Sequence, residues 1–68
     1  MDYDLKFLGK EIKLERIRKD LSQEQLANIL KVSPRTVSLI ENGKQHPKFF
    51  LMVRIAHFFG VELNKFIK

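Results

Sequence analysis

The sequence predicts an all-α domain of about five short helices, and three observations support this fold class. Apolar residues recur three or four positions apart along most of the chain, which is the spacing of a helix face. No long alternation of apolar and polar residues indicates a sheet. The few proline and glycine residues stand where helices should begin or end. Since no linker or repeat is visible, we expect residues 1–68 to form a single domain.

The first helix is predicted over Leu5–Lys19, with the side chain of Asp4 capping its start. Its apolar residues fall on two faces, so two sides of this helix should be covered. An alternative stays open at the beginning of the chain. Tyr3, Leu5 and Phe7 alternate with charged residues and could instead form a short edge strand.

A capping box marks the start of the second helix. Ser22 and Gln25 stand three residues apart, so each side chain can accept a hydrogen bond from the other residue's backbone N–H. This pattern predicts a helix over about residues 23–30. Its buried stripe is predicted as Leu26, Ala27, Ile29 and Leu30.

The third helix should begin almost immediately afterwards. Ser33 can cap it, and Pro34 suits the first helical position, where its missing N–H has no partner to lose. Asn42 and Gly43 predict the end of this helix, which then covers about residues 34–42, with the glycine in the left-handed conformation. Two short helices joined by a tight turn form a helix-turn-helix, whose second helix enters the major groove of DNA.

The fourth helix is predicted to begin near Pro47 and end before Gly60, and a last short helix is predicted over Glu62–Ile67. On a helical wheel, the core stripe of the fourth helix is Phe49, Met52, Val53, Ala56 and Phe59. A second apolar stripe lies nearly opposite and consists of Phe50, Phe58 and Val61, with Leu51 at its edge.

The second apolar stripe needs a cover, because soluble monomers rarely expose two phenylalanines on one patch. One explanation is a two-fold homodimer, since DNA sites with two half-sites one helical turn apart require a symmetric pair. The predicted dimer interface contains Phe50, Leu51, Phe58, Val61 and Phe66. In the alternative, the cover comes from the same chain, through Leu63, Phe66 and Ile67 or through Tyr3 and Phe7.

The outer face of the third helix carries side chains that can contact bases. Val37 and Ile40 define its buried side, and the opposite side presents Arg35, Ser38, Leu39 and Asn42, with Ser33 and Pro34 at the leading end. A guanidinium can bind guanine in a bidentate manner, a hydroxyl can bind a base or a phosphate, and a small apolar group can contact the thymine methyl.

Other polar residues are predicted to contact the DNA backbone. Gln23 lies at the start of the second helix, where free N–H groups favour a phosphate. Asn42, Lys44 and Lys48 follow the third helix as a polar loop that can position the duplex without specifying its sequence. The net charge of +5 also favours association with polyanions.

Arg16 and Glu41 are predicted to form a partly buried ion pair between the first and third helices. Both residues flank the apolar stripes of their helices, so both should lie at the edge of the core. The charge of Arg16 would then serve the fold and not the DNA.

Several functional classes find no support in the sequence. The chain has no cysteine, and His46 and His57 have no acidic residue at metal-ligand spacing, so we expect no metal and no cofactor. No carboxylate pair, glycine-rich phosphate loop or Ser-His-Asp arrangement indicates an enzyme. No apolar run is long enough for a bilayer or a signal peptide, and the expected location is the cytoplasm.

The combined pattern resembles the phage repressor and Cro family of XRE-like helix-turn-helix regulators. The residues that carry the resemblance are Leu21–Ala27, Val32–Ser33, Thr36–Ser38, Ile40–Lys44 and Pro47, and the similarity extends over roughly Leu8–Ile67. It implies a lambda-repressor-like fold and a dimeric repressor. It also implies phosphate contact by Gln23, base contacts by Pro34, Arg35, Ser38 and Leu39, backbone contacts by Asn42 and Lys44, and the Arg16–Glu41 pair.

The sequence departs from the family pattern at four positions. Lys31 stands where the family usually has glycine, which predicts either a left-handed strain of about 1 kcal/mol or a slightly different turn. Pro34 replaces a polar or basic residue and cannot bind a base edge, so base recognition should shift to Arg35 and Ser38. Lys48 and Glu62 replace the usual serine or threonine, which should weaken the caps of the last two helices.

The function predicted from these residues is sequence-specific binding of double-stranded DNA by a transcriptional regulator, most simply a homodimeric repressor. The predicted DNA-binding set is Gln23, Ser33, Pro34, Arg35, Thr36, Ser38, Leu39, Asn42, Lys44 and Lys48. Two alternatives remain, an antitoxin that binds a toxin and autoregulates its operon, and a restriction–modification controller.

Overall fold

The chain folds into four α-helices and a final 3₁₀ helix, as shown by a computed structural model that describes residues 4–67. The elements are α1 (Leu5–Arg18), α2 (Gln23–Leu30), α3 (Pro34–Glu41), α4 (Phe49–Phe59) and the 3₁₀ helix η1 (Leu63–Phe66). The all-α prediction is confirmed, because no strand occurs within residues 4–67. The edge-strand alternative is wrong for Leu5 and Phe7, which are helical, while Tyr3 lies outside the described residues.

The helix starts follow the predicted capping chemistry. Asp4 Oδ1 accepts from the backbone N–H groups of Lys6 at 2.9 Å and Phe7 at 3.1 Å. In the capping box, Gln25 N lies 3.0 Å from Ser22 Oγ, and Ser22 N lies 2.8 Å from Gln25 Oε1. These bonds satisfy N–H groups that the first turn leaves without helical partners.

The starts of α3 and the last two elements also match their sequence. Ser33 Oγ accepts from Thr36 N at 3.1 Å, and Pro34 occupies the first position of α3. Lys48 and Glu62 precede α4 and η1 without any side-chain capping bond, as their departure from the usual serine or threonine predicts. The last short helix, predicted over Glu62–Ile67, is a 3₁₀ turn over Leu63–Phe66, with i→i+3 bonds such as that from Lys65 N to Glu62 O at 3.0 Å.

A residue with left-handed backbone follows each of the four α-helices, beginning with Asp20 after α1, which has a φ of 57°. Gly43 and Gly60 have φ values of 70° and 68°, which glycine adopts without penalty. Lys31 has a φ of 62° at the end of α2, so the lysine does adopt the strained conformation that its position predicts.

One hydrophobic core joins all five elements. The buried apolar residues are Leu8, Ile12, Leu26, Ala27, Leu30, Val37, Ile40, Met52, Ile55, Ala56, Phe59 and Phe66. The stripe of α2 therefore consists of Leu26, Ala27 and Leu30, and the prediction for Ile29 is wrong, since that side chain is 41% exposed. The eight residues of α2 meet the core along a narrower strip than the sequence suggests.

The core face of α4 is rotated relative to the prediction. Met52, Ala56 and Phe59 are buried as expected, but Ile55 joins them, whereas Phe49 and Val53 are 65% and 40% exposed. Both α2 and η1 contact α4, and Ile55 lies in the core that these elements share, while Phe49 and Val53 lie outside it. A wheel of one isolated helix gives the angles between residues but not the side that its neighbours cover.

Phe66 has no part in a dimer interface, because it is fully buried within the chain at 0% exposure. The 3₁₀ helix places Phe66 in the core, whereas the intrachain alternative had it cover the second stripe of α4. Lys65 Nζ of the same turn lies 3.4 Å from Glu15 Oε2 on α1. Leu51, Phe58 and Val61 are partly buried and pack against the core as well. Of the predicted interface residues, Phe50 alone is fully open to solvent, at 79% exposure.

Gly9 allows α1 and α3 to approach closely. A Cβ atom at this position would lie 2.3 Å from the carbonyl oxygen of Ile40 and 2.7 Å from that of Glu41. Both atoms belong to the backbone and cannot turn away as a side chain could. The absence of a side chain at Gly9 therefore sets the spacing between α1 and the helix expected to contact DNA.

Candidate nucleic-acid interface

The burial of α3 fixes which of its faces meets solvent. Val37 and Ile40 are 2% and 3% exposed and face the core. Arg35 and Pro34 are exposed on the other side, and Ser38 and Leu39 are half-buried at its border. The side chains predicted to contact bases thus share one face of α3, and the major groove of DNA is wide enough to admit one α-helix.

Hydrogen bonds within α3 already engage some of the predicted residues. Ser33 Oγ lies 3.0 Å from Thr36 Oγ1 and also caps the helix, so the hydroxyl of Ser33 serves the start of α3. Asn42 Nδ2 lies 3.4 Å from Ser38 Oγ, which links the exposed carboxamide to the middle of the helix. Arg35 is the second residue of α3 and is exposed, so its long side chain can extend its guanidinium into solvent.

Two hydrogen bonds stabilise the turn between α2 and α3, one from within the turn and one from α4. Val32 N donates to Ala27 O at 3.0 Å and thereby closes the left-handed end of α2 at Lys31. Arg54 on α4 donates from its guanidinium to the carbonyl oxygen of Leu30, the last residue of α2. The sequence analysis missed Arg54, because nothing in the local pattern of α4 indicates which distant carbonyl it contacts.

The loop after α3 presents the predicted backbone-contacting lysines. Lys44 and Lys48 are exposed, and Lys44 N donates to Leu39 O at 2.9 Å, which ties the loop to α3. Pro47 is fully buried and anchors the far end of the loop against the core. The loop is therefore a fixed extension of α3.

Lys6 is a second residue that the sequence analysis missed. A Cβ atom at Gly43 would lie 3.0 Å from both the Cα and the Cγ atom of Lys6, so the start of α1 rests against the end of α3. The exposed side chain of Lys6 begins beside the surface of Asn42 and Lys44. Lys6 and Lys44 are brought together only by the packing of α1 on α3, and no spacing within the sequence indicates this packing.

Arg16 and Glu41 form a bidentate ion pair. Arg16 Nε lies 2.7 Å from Glu41 Oε2, and Arg16 Nη2 lies 3.0 Å from Glu41 Oε1. The two side chains are 11% and 1% exposed, which is deeper burial than a surface ion pair has. Arg16 Nη1 also donates to Leu21 O at 2.7 Å, so this arginine joins α1 to both α3 and the start of α2.

Gln23 is connected to the same ion pair. Its Nε2 atom donates to Glu41 Oε1 at 3.0 Å, and its side chain is half-buried. The sequence analysis placed Gln23 beside a phosphate and Glu41 beside Arg16 as two separate features. The structure joins them in one cluster at the start of α2.

Two other features, a metal-binding cluster and a membrane-spanning helix, do not occur in the part of the chain that the structure describes. Among residues 4–67, no group of three or more His, Cys, Asp or Glu side chains could hold a metal ion. Within the same range, no helix is long and apolar enough to cross a membrane.

Comparison with known families matches this geometry. The sequence model of a family described as helix-turn-helix matches residues 12–66, which contain the second half of α1 and all of α2, α3, α4 and η1. This chain is an XRE-type helix-turn-helix protein. Because the chain belongs to this family and its sequence relatives are regulators, it is an HTH-type transcriptional regulator.

Two sequence relatives are regulators by name. The chain is 43% identical over 57 residues to an HTH-type transcriptional regulator of Methanocaldococcus jannaschii, covering 84% of this chain and 86% of that protein. It is 35% identical over 52 residues to RstR, a cryptic phage CTXphi transcriptional repressor of Vibrio cholerae. The second match covers 76% of this chain but only 47% of the repressor.

A solved structure shows the same arrangement of helices. The restriction–modification controller protein C.AhdI of Aeromonas hydrophila superimposes with a TM-score of 0.84 at 25% identity. The match covers 93% of this chain and 96% of the controller. The fold of the XRE-type protein thus agrees with that of a regulator of nearly the same length.

Proposed function

We propose that this XRE-type protein represses transcription as a homodimer that binds a two-half-site DNA operator. The observation that carries the proposal is the exposed face of α3. Arg35 stands free on it, while Val37 and Ile40 hold the opposite face in the core. A helix that is fixed on one side and polar on the other suits insertion into a major groove.

The roles within the interface divide by chemistry. Arg35 and Ser38 carry the donors and acceptors for base edges, and Leu39 offers apolar contact to a thymine methyl. Gln23, Asn42, Lys44 and Lys48 surround this face and contact phosphates, which fixes the position of α3 without specifying sequence. Pro34 directs the start of α3 towards the groove but forms no bond with a base.

The distance between half-sites supports the proposed homodimer. Residues 4–67 extend 31 Å along their longest axis and contain a single exposed recognition helix. Half-sites on one face of a duplex lie about 34 Å apart, so two copies are needed to contact both. A two-fold axis then relates the two α3 helices in the same way as the two half-sites.

The proposed dimer surface is the outer face of α4 with the adjoining edge of α2. Phe49, Phe50 and Val53 are exposed on α4, and the rings of Phe49 and Phe50 pack edge to face with centroids 5.7 Å apart. Ile29, also exposed, shares a groove with Val53. A second copy would remove this apolar patch from water, which is the driving force for association.

Repression is the regulatory outcome we propose. RstR, one of the sequence relatives, is a transcriptional repressor by name.

Binding titrations with labelled duplexes test the DNA-binding proposal. Arg35→Ala should weaken binding to the preferred site by about 1–3 kcal/mol and relax the preference at one base pair in each half-site. Lys44→Ala should weaken binding to all duplexes about equally. It should also reduce the slope of log K against log salt concentration by about 1, the value of one phosphate contact. If Arg35→Ala weakened binding to every duplex to the same degree, α3 would not be the recognition helix.

Sedimentation tests the dimer. Phe50→Glu should give a folded monomer with much weaker operator binding, because the side chain is solvent-exposed in one chain and buried only between two. Ile17→Glu is the matched control, since Ile17 is 52% exposed on α1, outside the proposed surface. A Phe50→Glu protein that remains a dimer, or a wild-type protein that is monomeric at micromolar concentration, would refute this interface.

A restriction–modification controller is the second candidate function. The superposition with C.AhdI over nearly the whole of both chains favours it. Both candidates bind DNA through α3 and differ in the genes that they regulate. Mapping the selected operator onto the source genome separates them, since a controller site must adjoin genes for an endonuclease and its methyltransferase.

A further inference from the structure

The carboxylate of Glu41 accepts more hydrogen bonds than its ion pair requires. Oε2 accepts from Arg16 Nε at 2.7 Å, and Oε1 accepts from both Arg16 Nη2 and Gln23 Nε2 at 3.0 Å. The side chain of Glu41 is 1% exposed. Arg16 alone neutralises this carboxylate, so the bond from Gln23 needs a separate explanation.

We propose that Glu41 is a positioning residue that orients the carboxamide of Gln23 for contact with a DNA phosphate. This inference rests on the proposed function, because it assumes that Gln23 faces the duplex backbone. Glu41 does not touch the phosphate and acts only through Gln23.

The physical reason lies in the two ends of a carboxamide. The amide nitrogen of glutamine carries two donors, and its oxygen only accepts. A phosphate also only accepts, so a glutamine that turned its oxygen outwards would repel it. An ionised carboxylate offers no donor, and the glutamine must therefore turn its nitrogen towards Glu41. One N–H then binds Glu41, and the second N–H is available to a phosphate at the start of α2.

The surrounding contacts hold this arrangement before DNA arrives. Arg16 Nη1 binds Leu21 O, and the Ser22–Gln25 capping box fixes the backbone on either side of Gln23. The side chain of Gln23 is half-buried and has few conformations to lose on binding. A preordered donor binds more tightly than a mobile one, because less side-chain freedom is lost in the complex.

A double-mutant cycle measures the connection. Gln23→Ala is made in the wild-type chain and in a chain where Arg16→Met and Glu41→Leu together replace the ion pair by apolar groups. That double replacement leaves no unpaired charge, and such exchanges are often neutral for stability. It also removes the bond from Arg16 Nη1 to Leu21 O, so an unchanged melting temperature is required before the affinities are compared. Affinity is measured for a duplex of random sequence, since phosphate contacts do not depend on sequence, and thermal unfolding is followed for every variant.

The expected result is a loss of about tenfold for Gln23→Ala in the wild-type chain, the value of one hydrogen bond to a charged group. In the Arg16→Met/Glu41→Leu chain the same change should reduce affinity by less than about twofold, because Gln23 is no longer oriented. Equal losses in the two chains would overturn the proposal. If Gln23→Ala has no effect while the wild type binds DNA, this inference fails and the function proposed for α3 survives.

NMR of the wild-type protein gives a test that does not depend on the folding of any variant. One side-chain amide proton of Gln23 should exchange more slowly than those of Gln45, which is exposed, and the other should shift when a random-sequence duplex is added. Side-chain amide protons of Gln23 that exchange as fast as those of Gln45 would also overturn the proposal.

Discussion

At the scale of single residues, Lys31 stores strain that the fold does not require. Its φ of 62° places a lysine in the left-handed region at the end of α2, where Gly43 and Gly60 perform the same function after α3 and α4. The left-handed conformation costs a non-glycine residue about 1–2 kcal/mol. The lysine side chain is exposed and contributes nothing to the core.

Lys31→Gly should therefore raise the free energy of unfolding. Glycine also stabilises the unfolded chain by about 0.4–1 kcal/mol, because it has more conformations there. The strain energy that is relieved in the folded state exceeds this amount. We expect a net gain of up to about 1 kcal/mol and a melting temperature higher by about 4–8 °C. Lys31→Ala is the control, because it removes the charge and keeps the strain. A Lys31→Gly protein that melts below the wild type would contradict this account of the turn.

At the scale of helices, the close approach of α1 to α3 depends on Gly9. Gly9→Ala would place a Cβ atom 2.3 Å from the backbone oxygen of Ile40, so the two helices must separate. Overpacking of this kind costs about 1–3 kcal/mol, and we expect the upper end because the obstacle is backbone.

Gly60→Ala is the matched control for this prediction. Gly60 has a left-handed φ of 68° but no atom within 4 Å of a Cβ at that position, so its loss should reflect backbone strain alone. Differential scanning calorimetry compares the two variants. Equal losses of stability would show that the α1–α3 spacing does not depend on Gly9.

The Arg16–Glu41 pair connects the same two helices through their side chains. Arg16→Ala leaves the carboxylate of Glu41 buried without its counter-charge, since that side chain is 1% exposed. Such a loss costs about 3–5 kcal/mol, a large fraction of the stability of a small domain. Urea denaturation measures it, and Arg18→Ala is the control because Arg18 is 60% exposed in its ion pair with Glu15. Wild-type stability in Arg16→Ala would refute a structural role for the pair.

The sequence predicted the features of these helices that arise from neighbouring residues. The caps at Asp4, Ser22 and Ser33 and the left-handed position of Gly43 depend on interactions within a few residues, and the structure contains all of them. The Arg16–Glu41 pair could also be anticipated, although Gln23 as its third member could not. That contact depends on how the start of α2 meets the end of α3.

Burial along the last third of the chain could not be predicted in the same way. The periodicity of α4 placed Phe49 and Val53 in the core, whereas the structure exposes both. Phe66, which follows α4, was predicted at a dimer interface and is buried. The difference arises because η1 folds back and inserts Phe66 beside α4. The position of one 3₁₀ turn thus decides which face of α4 remains open, and no local pattern encodes it.

At the scale of the whole molecule, the proposed function needs two regions of surface. Arg35 and its polar neighbours form the proposed DNA surface, and Phe49, Phe50 and Val53 form the proposed dimer surface on α4. The Arg16–Glu41–Gln23 cluster fixes α2 and α3 relative to α1. Binding to two half-sites requires both regions in the same molecule.

Selection of binding sites from a randomised duplex library tests the central claim most directly. The wild-type protein should enrich a sequence with two symmetric half-sites about one helical turn, or 34 Å, apart. The Arg35→Ala protein should enrich the same spacing with the preference lost at one base pair of each half-site. Failure of the wild type to enrich any sequence, or an unchanged preference in Arg35→Ala, would contradict sequence-specific recognition through α3.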